Sequence, residues 1–465
     1  MSGIVGIIDS ECVSYKIYYS LFALQHRGQE ASGISIFDGQ NLNIHTGHGT
    51  ISDVINEQIL SKMTGNIGIG HVLYSQSKNK KISKKIQPLV FSTQNNHQLS
   101  IAMDVSLISD VRNTLQTECE KNGYIFSTTS DVEIIAALLI HELDSGTDAK
   151  NSLINVIKRL NGAYVGVVIL DGVLYAFRDP LGFKPLCLGE TNTGYIVASE
   201  SVAIDTLSGK FVRDIVPGEL VVITSKGVIS DQILQSDHKA HCVFEYIYTA
   251  RPDSVIDGVL VYDARRKIGE KLAKTKVNAD IVSPIPDSGT AFAVGFANAS
   301  GIPYIEGLLK NRYVGRTFIM PIQSMRENAV QLKLNPIRSH ISKKSVVLVD
   351  DSIVRGTTST HIVNMIRDFG AKDIHMRIGS PPIVSPCYFG VDFPTRKELI
   401  ANNRTIDEIQ EIIHTTSLKY ISLEDLVDSI GIPLDDLCVA CTCGKYPLPI
   451  KNEKCCPCRH IKLIK

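Results

Sequence analysis

The sequence predicts an α+β sandwich followed by an α/β domain with a parallel sheet, and three observations carry that prediction. At 465 residues the chain exceeds what one hydrophobic core usually serves, so two large domains are expected. Up to about residue 225, short strands bounded by turn signals are interrupted by helical patterns; beyond the polar stretch Ser236-Asp237-His238-Lys239, strands and helices alternate. Finally, the apolar run Ser345-Val346-Val347-Leu348-Val349 ends in two acids and turns into a helical pattern, the order of a strand delivering residues to the carboxyl edge of a parallel sheet. The boundary is placed near residue 235, giving domains 1–235 and 236–465.

In the first domain, residues 66–72, 163–170 and 174–177 read as strands, and 15–24, 108–122, 131–142 and 151–160 as helices. Strand blocks with helices on their outer faces account for the sandwich. The Lys-rich loop 77–85 reads as a solvated surface. In the second domain, 281–286 and 345–349 read as strands and 264–273 and 290–300 as helices. The sequence shows no internal repeat and no low-complexity tract.

Lys plus Arg equals Asp plus Glu at 48 each, so no basic field points to nucleic acid or a membrane surface. The start, Met1-Ser2-Gly3-Ile4-Val5-Gly6, lacks the basic flank and long apolar core of an export signal, and charges interrupt later apolar runs. A soluble, cytoplasmic protein is expected. In a reducing compartment its 11 cysteines are poor disulfide candidates. Cys12, Cys119 and Cys187 read as ordinary semi-buried residues. The other eight lie at Cys242 and beyond, six of them between Cys438 and Cys458, an asymmetry that points to a metal in the second half.

The stretch Val349-Asp350-Asp351-Ser352-Ile353-Val354-Arg355-Gly356-Thr357-Thr358-Ser359 carries the chemistry. Two acids at a strand end can accept hydrogen bonds from a vicinal sugar diol, and small residues at a helix start expose N–H groups and hydroxyls to a phosphate. A ribose 5-phosphate would satisfy both halves; the plainer alternative is a turn whose acids cap the helix. Pro286-Asp287-Ser288-Gly289-Thr290 repeats the logic and suits pyrophosphate or its metal ion, or equally an N-cap. Lys310, Arg312 and Arg316 flank a glycine in a loop, Lys310 to Phe318, that fits either a lid over a polyanion or a solvated basic loop. Cys438-x-x-Cys441 is compatible with zinc or iron–sulfur.

The acid loop resembles that of the amidophosphoribosyltransferase family. The resemblance extends over nearly the whole chain, through Leu24-Gln25-His26-Arg27-Gly28-Gln29-Glu30, Arg178-Asp179-Pro180-Leu181-Gly182, Phe244-Glu245-Tyr246-Ile247-Tyr248, Ala250-Arg251-Pro252-Asp253-Ser254, Tyr313 to Phe318 and Gly444-Lys445-Tyr446-Pro447. It implies an N-terminal nucleophile hydrolase-like glutaminase domain joined to a type I phosphoribosyltransferase domain, usually in a homotetramer. It implies phosphoribosyl pyrophosphate as substrate, glutamine or ammonia as nitrogen donor, and purine nucleotides as inhibitors. Asp350, Asp351 and Arg316 take catalytic roles; Gly356, Thr357, Thr358, Ser359, Lys310 and Tyr313 bind substrate; and Ser288, Asp350 and Asp351 hold Mg2+. In the cluster-containing branch of the family the ligands fall at Cys242, Cys387, Cys438 and Cys441, which implies a structural [4Fe–4S] cluster. Cys443, Cys455, Cys456 and Cys458 exceed that pattern and read as spare thiols or a second, zinc-type site.

The first domain departs from the family. Ser2 stands where the nucleophilic cysteine belongs, and Met1 must be removed for its amine to serve as base. Leu73 replaces the arginine that pairs with the glutamine carboxylate, a charge-assisted contact worth about 1.5 to 3 kcal/mol. Met103-Asp104-Val105 replaces a His-Asn-Gly oxyanion motif, turning a donor into an acceptor; one such donor is worth roughly 10² to 10³ in rate. Asp131 alone remains of the glutamine site. The expected activity is therefore formation of 5-phosphoribosylamine and pyrophosphate, the first step of purine synthesis, dependent on ammonia because the glutaminase half is impaired. The alternatives are a non-catalytic nucleotide-sensing partner of an active relative and a phosphoribosyltransferase with another acceptor.

Overall fold

The first strand explains the first half of the molecule. In β1 (Gly3–Asp9) every residue is buried, because alternate side chains enter two different cores. Ile4 and Ile8 point between two sheets, and Val5 and Ile7 point toward the helix Ser14–Ala23. The computed structural model describes residues 1–74, 86–311, 334–393, 395–451 and 453.

Twelve further strands follow: β2 (Ala31–Phe37), β3 (Leu42–His48), β4 (Ile67–Leu73), β5 (Leu89–Ser92), β6 (Gln98–Leu107), β7 (Gly162–Leu170), β8 (Val173–Arg178), β9 (Cys187–Glu190), β10 (Gly194–Ala198), β11 (Lys210–Asp214), β12 (Glu219–Thr224) and β13 (Gly227–Gln232). They form two antiparallel sheets, ordered β11-β9-β10-β1-β4-β2-β3 and β13-β12-β8-β7-β6-β5. Ile4, Ile69, Val167, Ile169, Val221 and Ile223 fill the space between the sheets. Ile17 and Leu21 cover the outer face of the first sheet; the helices Ser109–Lys121, Asp131–Asp144 and Ala149–Ile157 cover that of the second. The result is the expected α+β sandwich.

In the second half, four parallel strands, Ile281–Pro284, Ser345–Asp350, Asp373–Ile378 and Ser417–Tyr420, pair in chain order. The strand Ser345–Asp350 is buried on both faces: Val347 and Val349 join a core with the helices Val261–Leu272 and Thr290–Ser300, while Val346 and Leu348 join one with the helix Thr357–Asp368. That explains its unbroken apolar run. Among the described residues no helix is long and apolar enough to cross a membrane. The Lys-rich loop 77–85 lies outside the described residues. Cys119 and Cys187 are buried, but Cys12 is exposed, a correction to its semi-buried reading: it sits in the turn between β1 and the first helix.

Buried charge ties the halves together. Arg27 donates to Glu200 Oε1 at 2.6 Å and, with both terminal nitrogens, to Glu245 at 2.7 and 3.0 Å. Its Nε donates to the Ser2 carbonyl at 3.2 Å. Glu200 also accepts from the Arg251 amide at 2.9 Å and the Ser254 hydroxyl at 2.6 Å. Burial works against the charge on Glu200, but His26 and Arg27 hold its carboxyl well below the usual range. A second tie runs from Arg178 to Asp257, at 2.8 and 2.9 Å. Removing one member of a buried pair strands the other charge, so Arg27→Ala should cost about 3 to 5 kcal/mol. Urea denaturation of the two proteins, followed by circular dichroism, reads that loss as a lowered midpoint.

Candidate active site

The parallel register places Pro284 beside Val349, so the segments following both strands emerge at one sheet edge. There Asp350 Oδ1 accepts the Asp351 amide at 2.9 Å and sits 3.5 Å from the Ser288 hydroxyl that donates to it. Ser352 donates to Asp351 Oδ2 at 2.6 Å. Both acids are buried, and neither forms an ion pair with a described cation. Burial, and then the neighbouring Asp351, raise the Asp350 carboxyl well above the usual range. Two stacked carboxylates without a counter-charge are a donor set that a hard cation such as Mg2+ fits.

Gly356 closes the loop at φ 78°, a conformation that strains any residue with a Cβ, and a Cβ there would also meet Ile400 Cδ1 at 2.3 Å, so glycine is strongly favoured. It forms the N-cap of the helix Thr357–Asp368 without any side-chain cap, leaving the first amides and the exposed Thr357 and Thr358 hydroxyls open to a ligand; Ser359 is buried. The N-cap alternative for Asp287 and Ser288 is not realised: Gly289 occupies that position, Asp287 pairs with Lys310, and Ser288 turns to Asp350. Arg316 and Tyr313 lie outside the described residues.

A cavity of about 520 Å³ adjoins this edge, with Ser288, Lys310, Tyr248, Arg251 and Arg265 in its wall. Sequence reasoning missed Arg265. Among the described residues its nitrogens donate only to the Tyr246 and Ala250 carbonyls, at 2.9 and 2.8 Å, and burial lowers the guanidinium to about 10 despite the attraction of Asp351. No local signal marks it, since it sits inside an ordinary amphipathic helix. The first domain contributes His26, Arg27, Gln29 and Tyr74 to the same wall.

A second cavity, about 370 Å³, holds the residues expected around glutamine, Ser2, Leu73, Asp104 and Asp131. Ser2 Oγ accepts the Tyr74 amide at 3.2 Å. Leu73 brings no charge. Asp131, the remnant acid, is taken up internally: Arg112 Nε donates to it at 2.8 Å and the Leu107 amide at 3.0 Å. Asp104 pairs with the buried Lys184 at 2.5 Å, so its charge is balanced within the protein rather than left bare. Lys184, just beyond the Arg178–Gly182 motif, and Arg112 were not singled out from sequence because their partners are distant along the chain. Tyr74 and Met1 line both cavities.

The four predicted cluster cysteines surround a third, apolar cavity together with Phe183 and Phe244. Short parallel strands His241–Cys242 and Leu437–Cys438 set Cys242 directly opposite Cys438. Burial raises all four thiols, Cys438 to about 12, so they ionise only when a cation compensates them. An all-sulfur set in an apolar shell fits a soft metal centre. Among the described residues no three His, Cys, Asp or Glu side chains meet at a single-ion position. Cys443 does not line that cavity and donates to the Val439 carbonyl at 3.4 Å, and Cys455, Cys456 and Cys458 lie outside the described residues.

A profile for the glutamine amidotransferase domain matches residues 75–206. With the sandwich and the parallel sheet, it sets the class: an N-terminal nucleophile hydrolase-like amidotransferase domain coupled to a type I phosphoribosyltransferase domain. Amidophosphoribosyltransferase of Methanocaldococcus jannaschii is 48% identical over 98% of this chain and 99% of its own; that of Bacillus subtilis is 41% identical over 99% and 96%. The solved structure of glutamine phosphoribosylpyrophosphate amidotransferase from B. subtilis, complexed with ADP and GMP, superposes with a TM-score of 0.89, 41% identity and coverage of 97% of this chain and 99% of that one. The chain belongs to the amidophosphoribosyltransferase family.

The Asp104–Lys184 pair makes a stability test. Lys184→Met alone should destabilise the protein by about 3 to 5 kcal/mol, whereas Lys184→Met with Asp104→Leu should recover most of that loss. Equilibrium urea unfolding of wild type and both variants measures the difference.

Proposed function

We propose that residues 236–465 transfer the phosphoribosyl group of phosphoribosyl pyrophosphate to ammonia, while residues 1–235 no longer hydrolyse glutamine efficiently. The observation that carries this reading is a contrast in charge. Among the described residues the acid pair Asp350–Asp351 has no ion pair at the sheet edge and is open to the metal ion of a magnesium-bound substrate, whereas the acids of the glutamine cavity, Asp104 and Asp131, are each paired with a cation of the protein. The product is 5-phosphoribosylamine, made in the first step of purine synthesis.

The transition state at the ribose anomeric carbon has oxocarbenium character, so positioning and charge supply most of the catalysis. Asp350 and Asp351 hold the ribose hydroxyls and present negative charge to the ring. The amides that open the helix Thr357–Asp368, with Thr357 and Thr358, hold the 5-phosphate. Ser288, Lys310 and Arg265 line the cavity where the pyrophosphate departs, and Tyr313 and Arg316 belong to the segment expected to cover it. Asp350, Asp351 and Ser288 are the residues that would hold Mg2+, which when bound would supply positive charge to the leaving group. The ADP and GMP of the B. subtilis complex support purine nucleotides as inhibitors of this chain.

Pyrophosphate release should require phosphoribosyl pyrophosphate and Mg2+, proceed with ammonium chloride, and be slower by at least about 10² with glutamine, given the lost oxyanion donor. Asp351→Asn should abolish it. Glutamate release that disappears in Ser2→Ala would overturn the ammonia reading. Binding of phosphoribosyl pyrophosphate without turnover would favour a sensor, and turnover only with a purine base would favour another acceptor.

Cys242, Cys387, Cys438 and Cys441 are the proposed ligands of a [4Fe–4S] cluster that ties the C-terminal segment to the start of the second domain; the shared apolar cavity supports this. Protein prepared anaerobically should contain about four iron and four sulfide per chain with broad visible absorption, both lost in Cys438→Ser. Stoichiometric zinc in place of iron would refute the cluster.

A further inference from the structure

We propose that Arg265 is a positioning residue for phosphoribosyl transfer: its guanidinium holds the backbone of the turn Glu245–Thr249, and that turn sets one wall of the 520 Å³ cavity. This rests on the transfer taking place in that cavity. The turn is π-helical, closed by the Ala250 amide donating to the Glu245 carbonyl at 3.2 Å. Turns of this width are rare and gather at functional sites. The first residue of the turn is held from the other domain, by Arg27 on the Glu245 carboxylate at 2.7 and 3.0 Å. Arg265 holds the remainder: Nε donates to the Tyr246 carbonyl at 2.9 Å and Nη2 to the Ala250 carbonyl at 2.8 Å. Beside that grip Tyr248, Thr249, Ala250, Arg251 and Pro252 follow one another along the cavity wall.

Packing alone does not ask for an arginine here. In the helix Val261–Leu272 it shares the buried face with Val261, Ala264, Ile268 and Leu272, and it is 3% exposed. An apolar side chain would complete that stripe at less cost, because a buried cation with neutral partners gives up its hydration. Burial lowers the guanidinium to about 10, outweighing the attraction of Asp351, Glu200 and Glu245. Departures of this kind from the apolar pattern concentrate at functional sites. What the guanidinium supplies is geometry: a planar fork reaches two acceptors at once, which the single nitrogen of a lysine does not. The core contacts of Tyr246 and Ile247 hold the turn down without fixing its direction, whereas the fork fixes a carbonyl on either side of Tyr248. Tyr248 in turn lies in the electrostatic field of Asp351 and Asp350. A wall displaced by about 1 Å can cost roughly 10² in rate. A loose wall also admits water, which in place of ammonia yields ribose 5-phosphate and pyrophosphate.

The test uses full-length, cluster-loaded protein with Arg265→Lys, which keeps the charge and loses the fork, and Arg265→Met, which loses both. With phosphoribosyl pyrophosphate, Mg2+ and ammonium chloride, kcat should fall about tenfold or more in each, while the KM for phosphoribosyl pyrophosphate stays within about threefold. Pyrophosphate release without ammonium should become a larger fraction of the release with it. Hydrogen exchange should quicken in peptides spanning 245–252 and stay unchanged over 290–300 and 345–350, which separates a loosened turn from a destabilised protein. Tyr248→Ala should lower kcat as well, and adding Arg265→Lys to it should cost much less than Arg265→Lys costs alone, because both act through one wall. An unchanged kcat in Arg265→Lys, exchange that quickens everywhere, or independent effects of the two substitutions would each overturn the proposal. Should neither Arg265 variant fold, Tyr248→Ala decides, an unchanged kcat overturning the proposal and a lowered one supporting it. If the wild type releases no pyrophosphate with ammonium, the transfer reading fails, and exchange over 245–252 still decides whether Arg265 holds the turn.

Discussion

Arg27 is the side chain on which the arrangement of the two halves turns. It is fully buried, bridges Glu200 of the first domain and Glu245 of the second, and holds the backbone of Ser2 with its third nitrogen. A guanidinium presents a planar fork, so these contacts fix direction as well as distance. Glu200 passes the constraint on to the Arg251 amide and Ser254. The wall of the 520 Å³ cavity is therefore set partly by charges that belong to the other domain.

That dependence gives a physical reason for the first domain to keep its fold whatever becomes of its glutamine chemistry. His26, Arg27, Gln29 and Tyr74 are wall residues of the 520 Å³ cavity, and Tyr74 reaches Asp392 with its hydroxyl at 3.3 Å. Loss of the sandwich would open the second site to water and leave Glu245 buried without its cation. A change confined to a residue such as Leu73, in the wall of the smaller cavity, does neither. The two kinds of change are thus under different physical constraints within one domain.

Much of the fold was legible because periodicity is local. The helix read over 290–300 is found as Thr290–Ser300, and the strand read over 345–349 as Ser345–Asp350. The acid loop was legible for the same reason: strand, acids, glycine and hydroxyls follow one another along the chain. Pairings between distant residues were not. Arg27 and Glu245 are separated by 218 positions, Asp104 and Lys184 by 80, and nothing near either member announces the other. Cys438 and Cys441 form a local motif, whereas the place of Cys242 opposite Cys438 follows from a parallel pairing that periodicity does not reveal. Arg265 stayed hidden because an arginine on an amphipathic helix ordinarily points to water, and only tertiary packing shows this one buried against carbonyls.

The buried acids separate by how their charge is met. Asp131 and Asp104 each have a cation from their own domain, Arg112 and Lys184, and a carboxylate paired in this way has little left to offer a charged substrate. Among the described residues Asp350 and Asp351 have none, and burial beside a second acid makes the ionised state of Asp350 unfavourable until something positive arrives. A structure that keeps such a pair at the end of a fully packed strand holds it at a cost to its own stability, and a ligand that carries the missing charge recovers that cost on binding. Asp104 lies between the two cases, with one oxygen satisfied and one not. The pairing with Lys184 fixes the carboxylate of Asp104 in place within the fold.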